Sequence, residues 1–157
     1  MSLEKLKELR KRRMEGASIA LRKSKEYLLN CEQAVFEKQN ELQQYGQWRL
    51  QHQDDLFSQL QANSFSPNDL ARYSSNIEEL KVKKQQLEAS LEDLKQKYQQ
   101  AERNINERKM ALSLITKKLE KLSEIIDIKK KELSSGDSLK EEDAIDEIVA
   151  FRASARS

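Results

Sequence analysis

A seven-residue hydrophobic repeat runs through most of this chain and leaves few folds open to it. Steps of seven from Met14 reach Leu21, Leu28, Val35, Leu42, Arg49 and Leu56, with companions at Ala17, Ser24, Cys31, Lys38, Tyr45, His52 and Gln59. Steps of seven from Leu70 reach Ile77, Lys84, Leu91, Tyr98, Ile105, Leu112, Leu119, Ile126 and Leu133. Their companions are Tyr73, Leu80, Leu87, Leu94, Ala101, Arg108, Ile115, Leu122 and Lys129. Sixteen of the 19 positions in this second set are apolar or aromatic. Apolar residues sustained at this spacing form a single helical stripe, the seam of a coiled coil. Composition agrees: 3 glycines and 1 proline in 157 residues cannot supply the turns of a sandwich, a barrel or a βαβ fold.

Two breaks divide the repeat. In Asn63-Ser64-Phe65-Ser66-Pro67-Asn68-Asp69, Ser66 reads as an N-cap, Pro67 as the first helical residue and Asp69 as a carboxylate placed to accept the orphan N–H groups. Ser134-Ser135-Gly136-Asp137 reads as a stop, with Gly136 suited to a left-handed terminus. Ser138 and Glu141 have capping-box spacing for a short third helix to about Phe151. The expected fold is all-α, a long two-helix antiparallel coiled-coil hairpin with a short C-terminal helix or disordered tail. Its parts are a helix over 2–62, a turn over 63–66 and a helix over 67–133. Residues 134–157 form a linker, a short amphipathic helix and a frayed tail. Folding the chain at 64–65 sets residue i opposite residue 129 − i. The two seams then meet: Met14 opposite Ile115, Val35 opposite Leu94, Leu42 opposite Leu87 and Cys31 opposite Tyr98. At 1.5 Å per residue each helix runs roughly 90 to 100 Å.

Chemistry is sparse. One Cys and one His exclude an internal disulfide and a Cys/His metal cage. His52 falls on the seam with no nucleophile expected around it, and the chain has no glycine-rich phosphate loop. No catalytic residue, cofactor or metal is expected, and the chain reads as not an enzyme. The basic N-terminus is followed by no apolar run of signal-peptide kind, and the apolar patches are too short to span a bilayer. We therefore expect a cytoplasmic protein without membrane insertion. The formal charge of +2, from 29 basic and 27 acidic residues, argues against nucleic acid as a partner.

Function should then lie on the surface. Residues 1–25 hold nine Lys/Arg against three Glu, and 103–131 hold nine against four acids. Arg10, Lys11, Arg12, Arg13, Lys117, Lys118 and Lys121 make the terminal end basic, suited to an acidic partner. Residues 137–147 are acidic with one Lys, and could fold over that end or stay free. Aromatic residues gather nearer the turn, where Tyr45, Trp48, Arg49, Tyr73 and Ile77 form a candidate protein contact. A second apolar row, Leu29, Phe36, Leu50 and Phe57, lies one residue beyond the first seam. It is either shared into the seam or kept as a partner-binding stripe.

This layout of two matched helices around one turn, a basic terminal end and a polar tail resembles the YscO/SctO proteins of type III secretion systems and their flagellar relative, FliJ. The stretches Met1 to Leu28 and Asn40 to Tyr73 are the most family-like. The resemblance implies an antiparallel coiled coil similar to the γ subunit of rotary ATPases. It implies a central stalk, at the cytoplasmic face of the secretion apparatus, that promotes assembly and activity of a hexameric type III secretion ATPase. It also implies contact with the cytoplasmic domain of the export-gate membrane protein, and the escort of secretion chaperones. On that basis the basic end would be held by the ATPase and the turn-proximal group would meet the gate. The competing expectation is a coiled-coil adaptor or chaperone-escort protein with no ATPase role.

Overall fold

A computed structural model describes residues 2–62, 66–134, 145 and 148–152. Two helices account for nearly all of them: α1, Leu3–Ala62, and α2, Pro67–Ser134. They pack against each other as a helical hairpin, as the paired seams require. Each begins at a serine. The Lys5 N–H donates to Ser2 Oγ at 3.2 Å, so Ser2 is the cap before α1 rather than its first residue. At α2 the cap is reciprocal: the Asp69 N–H donates to Ser66 Oγ at 3.2 Å, and the Ser66 N–H donates to Asp69 Oδ2 at 3.1 Å. This is a capping box with aspartate in the third position, and Pro67 occupies the site where a missing N–H costs nothing. Hydrogen bonds from Ser66, then the Arg72 charge, hold the Asp69 carboxyl below its ordinary pKa, with burial opposing them. The expected Gly136 stop, the Ser138–Glu141 capping box, the turn over 63–65 and the frayed tail over 153–157 lie outside the described residues.

The chain divides into two compact units. One comprises Met1–Arg22 with Asn106–Ser157, the other Lys23–Ile105. In the second unit the buried apolar side chains are Cys31, Leu80, Leu87, Ala101 and Ile105. Every one is a seam position. The Tyr45 hydroxyl donates to the Leu80 carbonyl at 2.7 Å, and the Phe57 and Tyr73 rings lie 6.4 Å apart. Phe57 thus meets a residue next to the expected Arg72, whereas the long Tyr45 side chain reaches one turn past the expected Lys84. Lys38 and Lys84, polar seam positions, reach out to carboxylates on their own helices, Glu41 at 2.9 Å and Glu88 at 3.7 Å. Such partly exposed pairs contribute about 0–1 kcal/mol each.

The first unit is built differently. Leu21, Leu122 and Ile126 are buried seam residues, but Ile125 and Ile145 are buried too. Ile125 lies off the seam, on the flank that a two-helix coil leaves to solvent. Ile148, Phe151 and Arg152 line one cavity with Lys118, Lys121 and Glu124, so residues 148–152 lie against α2 as a third layer. These residues are helical, and Arg152 Nη1 approaches the Lys118 carbonyl at 3.5 Å. Leu133 is an exposed seam position near the α2 terminus, as is Leu70 in the first turn of α2. No helix among the described residues is long and apolar enough to cross a membrane.

Candidate functional surfaces

The basic group divides by burial. Lys11, Arg12, Arg13, Lys117 and Lys121 are exposed and Lys118 is half-buried, all in the first unit. Arg10 is 5% exposed, and its Nη1 donates to the Lys118 carbonyl at 3.3 Å. Its burial follows from the repeat: one step of seven before Ala17 falls on Arg10, so the side chain points into the seam. The expected surface cation is thus an interior one, with only part of its donor capacity used. Its Nε has no hydrogen-bond partner among the described residues. Arg10, Lys118 and Lys121 line one cavity together with Glu124, Ile148, Phe151 and Arg152. The last four carried no assignment in the sequence reading. The signal for Ile148, Phe151 and Arg152 was the amphipathic stretch after the second break, whose destination sequence spacing leaves open.

The aromatic group, in the second unit, is brought together in part. Trp48 stacks on His52, with ring centroids 4.7 Å apart and planes 13° apart, and the Tyr45 ring lies 5.7 Å from Trp48, tilted by 36°. These residues share a strip of α1 because they are spaced three and four apart. Trp48 is 51% exposed, so one edge of the stack faces solvent. Tyr73 is not part of the stack; its ring contact is Phe57. Arg49 and Ile77 are half-buried in their seam positions. His52, expected only as a seam residue, is the platform that sets the Trp48 ring.

The second apolar row is not drawn into the seam. Leu29, Phe36, Leu50 and Phe57 are all exposed, between 48% and 63%. Gln43, at the intervening step of seven, is exposed as well. The stretch from Gln39 to Gln53 carries only Glu41 and Arg49 as formal charges, against 36% charged residues in the whole chain. Loss of charge beside exposed aromatic and aliphatic side chains is the composition of a protein-contact surface. Cys31 is a buried free thiol. No group of His, Cys, Asp and Glu able to hold a metal occurs among the described residues.

The profile of the family described as type III secretion protein YscO matches residues 2–150. No curated protein and no solved structure matches the chain.

Proposed function

Because this chain belongs to the YscO family of type III secretion proteins, we propose that it is the central stalk component of a bacterial export apparatus. It acts in the cytoplasm, at the cytoplasmic face of that apparatus. It promotes assembly and activity of the hexameric export ATPase and links the ATPase to the cytoplasmic domain of the export gate. The observation that carries the reading is the segregation of two unlike surfaces into different units. Exposed Lys11, Arg12, Arg13, Lys117 and Lys121 lie in one, and the half-exposed Tyr45–Trp48–His52 stack lies in the other.

The chemistry of each surface fits its assigned partner. A two-helix element inside a ring of six subunits cannot present the same face to all of them. Contacts that let the ring step around it must be individually weak and adjustable. Solvent-exposed cations on long side chains meet that need, at about 0–1 kcal/mol per pair and with strong sensitivity to salt. The gate contact has no such constraint, and the stacked Trp48–His52 pair with Tyr45 beside it supplies an aromatic anchor of the kind that dominates protein interfaces.

The test is the ATP hydrolysis rate of the cognate export ATPase with and without this protein, at low and physiological salt. Stimulation that saturates near one chain per hexamer is expected. Lys11→Gln, Arg12→Gln and Arg13→Gln together should abolish it at unchanged helix content. Full stimulation by that triple variant would sink the ATPase assignment. Trp48→Ala should weaken gate binding and leave stimulation intact. A second reading, an adaptor that escorts secretion chaperones without an ATPase role, is favoured by the exposed Leu29, Phe36, Leu50 and Phe57 row. It predicts chaperone binding that Leu29→Gln and Phe36→Gln abolish, with no change in hydrolysis by the ATPase.

A further inference from the structure

In the first unit, α1, α2 and the returning C-terminal residues line a cavity of about 480 Å³. Its walls hold four cations, Arg10, Lys118, Lys121 and Arg152, one acid, Glu124, and the apolar side chains of Ile148 and Phe151. We propose that this cavity binds a carboxylate presented by a partner protein, an aspartate or glutamate side chain flanked by apolar residues. The assignment goes beyond the stalk reading: it names a pocket and a ligand chemistry, and it holds whichever protein presents the acid.

Arg10 carries the argument. A guanidinium 5% exposed is costly to bury unless an anion or a full set of acceptors meets it. Among the described residues, what meets it is one backbone carbonyl, that of Lys118, at 3.3 Å. Arg152 Nη1 turns to the same oxygen at 3.5 Å. Two guanidinium groups thus converge on a single neutral acceptor, which can neutralise neither. The Arg10 Nε–H is buried and has no acceptor among the described residues. On the cavity wall Arg152, Lys118 and Lys121 stand with Arg10, so an incoming carboxylate meets several cationic donors at once.

The rest of the wall narrows the ligand. A free anion would leave Ile148 and Phe151 without a counterpart, whereas an acidic side chain with aliphatic neighbours covers both. The volume lies within the roughly 300–1,000 Å³ range of sites that enclose a drug-sized ligand, ample for one acidic side chain and its apolar neighbours.

The experiment follows the Arg10 Nε–H resonance of the full-length ¹⁵N-labelled protein during titration, with the peak assigned by Arg10→Lys. Three probes are added separately: a short blocked peptide with one glutamate between leucines, its glutamine counterpart, and inorganic phosphate. The glutamate peptide should move the resonance saturably, and the glutamine peptide should bind at least about tenfold more weakly, as loss of a charge-assisted pair predicts. Arg152→Gln and Lys121→Gln, both at solvent-accessible positions, should each weaken the glutamate peptide several-fold at unchanged helix content. They keep the test decisive even where an Arg10 variant fails to fold. Equal affinity for the two peptides, no shift with either, or a phosphate response as tight as the peptide's would overturn the proposal.

Discussion

The return of the C-terminal segment over α2 makes a quantitative prediction at Ile125. In a two-helix coil this position flanks the seam, and shaving it to alanine would cost little. Here Ile125 is as buried as the seam residue Ile126 beside it, and Ile145, from the returning segment, is buried to the same degree. Ile→Ala removes three carbon groups, about 2.4 kcal/mol of transfer free energy at about 0.8 kcal/mol each. The residual cavity adds to this, within the roughly 2–5 kcal/mol range for such truncations. A layer at the edge of a small unit can partly collapse, so about 3 kcal/mol is the expected cost of Ile125→Ala. For a chain of this size that lowers Tm by about 6–12 °C.

If Ile145 and its neighbours are what cover Ile125, the two truncations share one cavity and cannot be additive. Ile125→Ala, Ile145→Ala and the double variant should be compared by urea denaturation followed by helix circular dichroism. Coupling of about 1–2 kcal/mol is expected, within the range seen for residues that share a cavity. Leu114→Ala, at an exposed α2 position, is the control and should change stability by no more than about 0.5 kcal/mol. Strict additivity, or an Ile125→Ala cost as small as the control's, would refute the third layer and with it the wall of the cavity.

Four further outcomes test other parts of the structure. Ser66→Ala should cost about 1 kcal/mol through loss of the α2 cap, read as a lower urea midpoint. The folded Asp69 carboxyl sits below its unfolded pKa, so its contribution is present above the unfolded value and lost as pH falls through the folded one. The stability difference between the protein and Asp69→Asn should therefore shrink on acidification below the ordinary carboxylate range. Tyr45→Phe removes the 2.7 Å hydrogen bond to the Leu80 carbonyl and should cost about 0.5–1.5 kcal/mol in the same denaturation assay. Gly46→Ala places a Cβ where, beyond its chain neighbours and the helix's own backbone, nothing lies within 4 Å, and should raise the urea midpoint by the equivalent of about 0.5–1 kcal/mol.

What was legible in the sequence was whatever one helix states about itself. The repeat named the seam residues, and the Ser66–Pro67–Asp69 signature named the start of α2, because periodicity and capping are local properties. Register followed from matching two local patterns, and it held to a residue at Phe57 and at Arg10, whose guanidinium meets the Lys118 carbonyl in place of the expected Leu119. The fate of the second apolar row needed the structure, since its residues carry the same spacing whether the seam absorbs them or leaves them out. The destination of the C-terminal segment was illegible for a different reason. A short amphipathic stretch after a break carries no information about which face of which helix it will cover.

Arg10 joins these two lessons. Read as one of four consecutive basic residues, it belongs to a solvated cluster. Read one heptad before Ala17, it belongs to the seam, and the structure takes the second reading. A cation in a seam only two side chains deep can ordinarily extend its long stem to water, as Lys38 and Lys84 do toward exposed carboxylates on their own helices. The returning segment closes that exit for Arg10. It adds Arg152 beside Arg10 and lines the same cavity with Phe151 and Ile148, so the guanidinium must find its counter-charge inside the unit or receive it from a partner. The same fold-back that stabilises Ile125 therefore turns a mismatched seam position into a cavity with one specific chemical need.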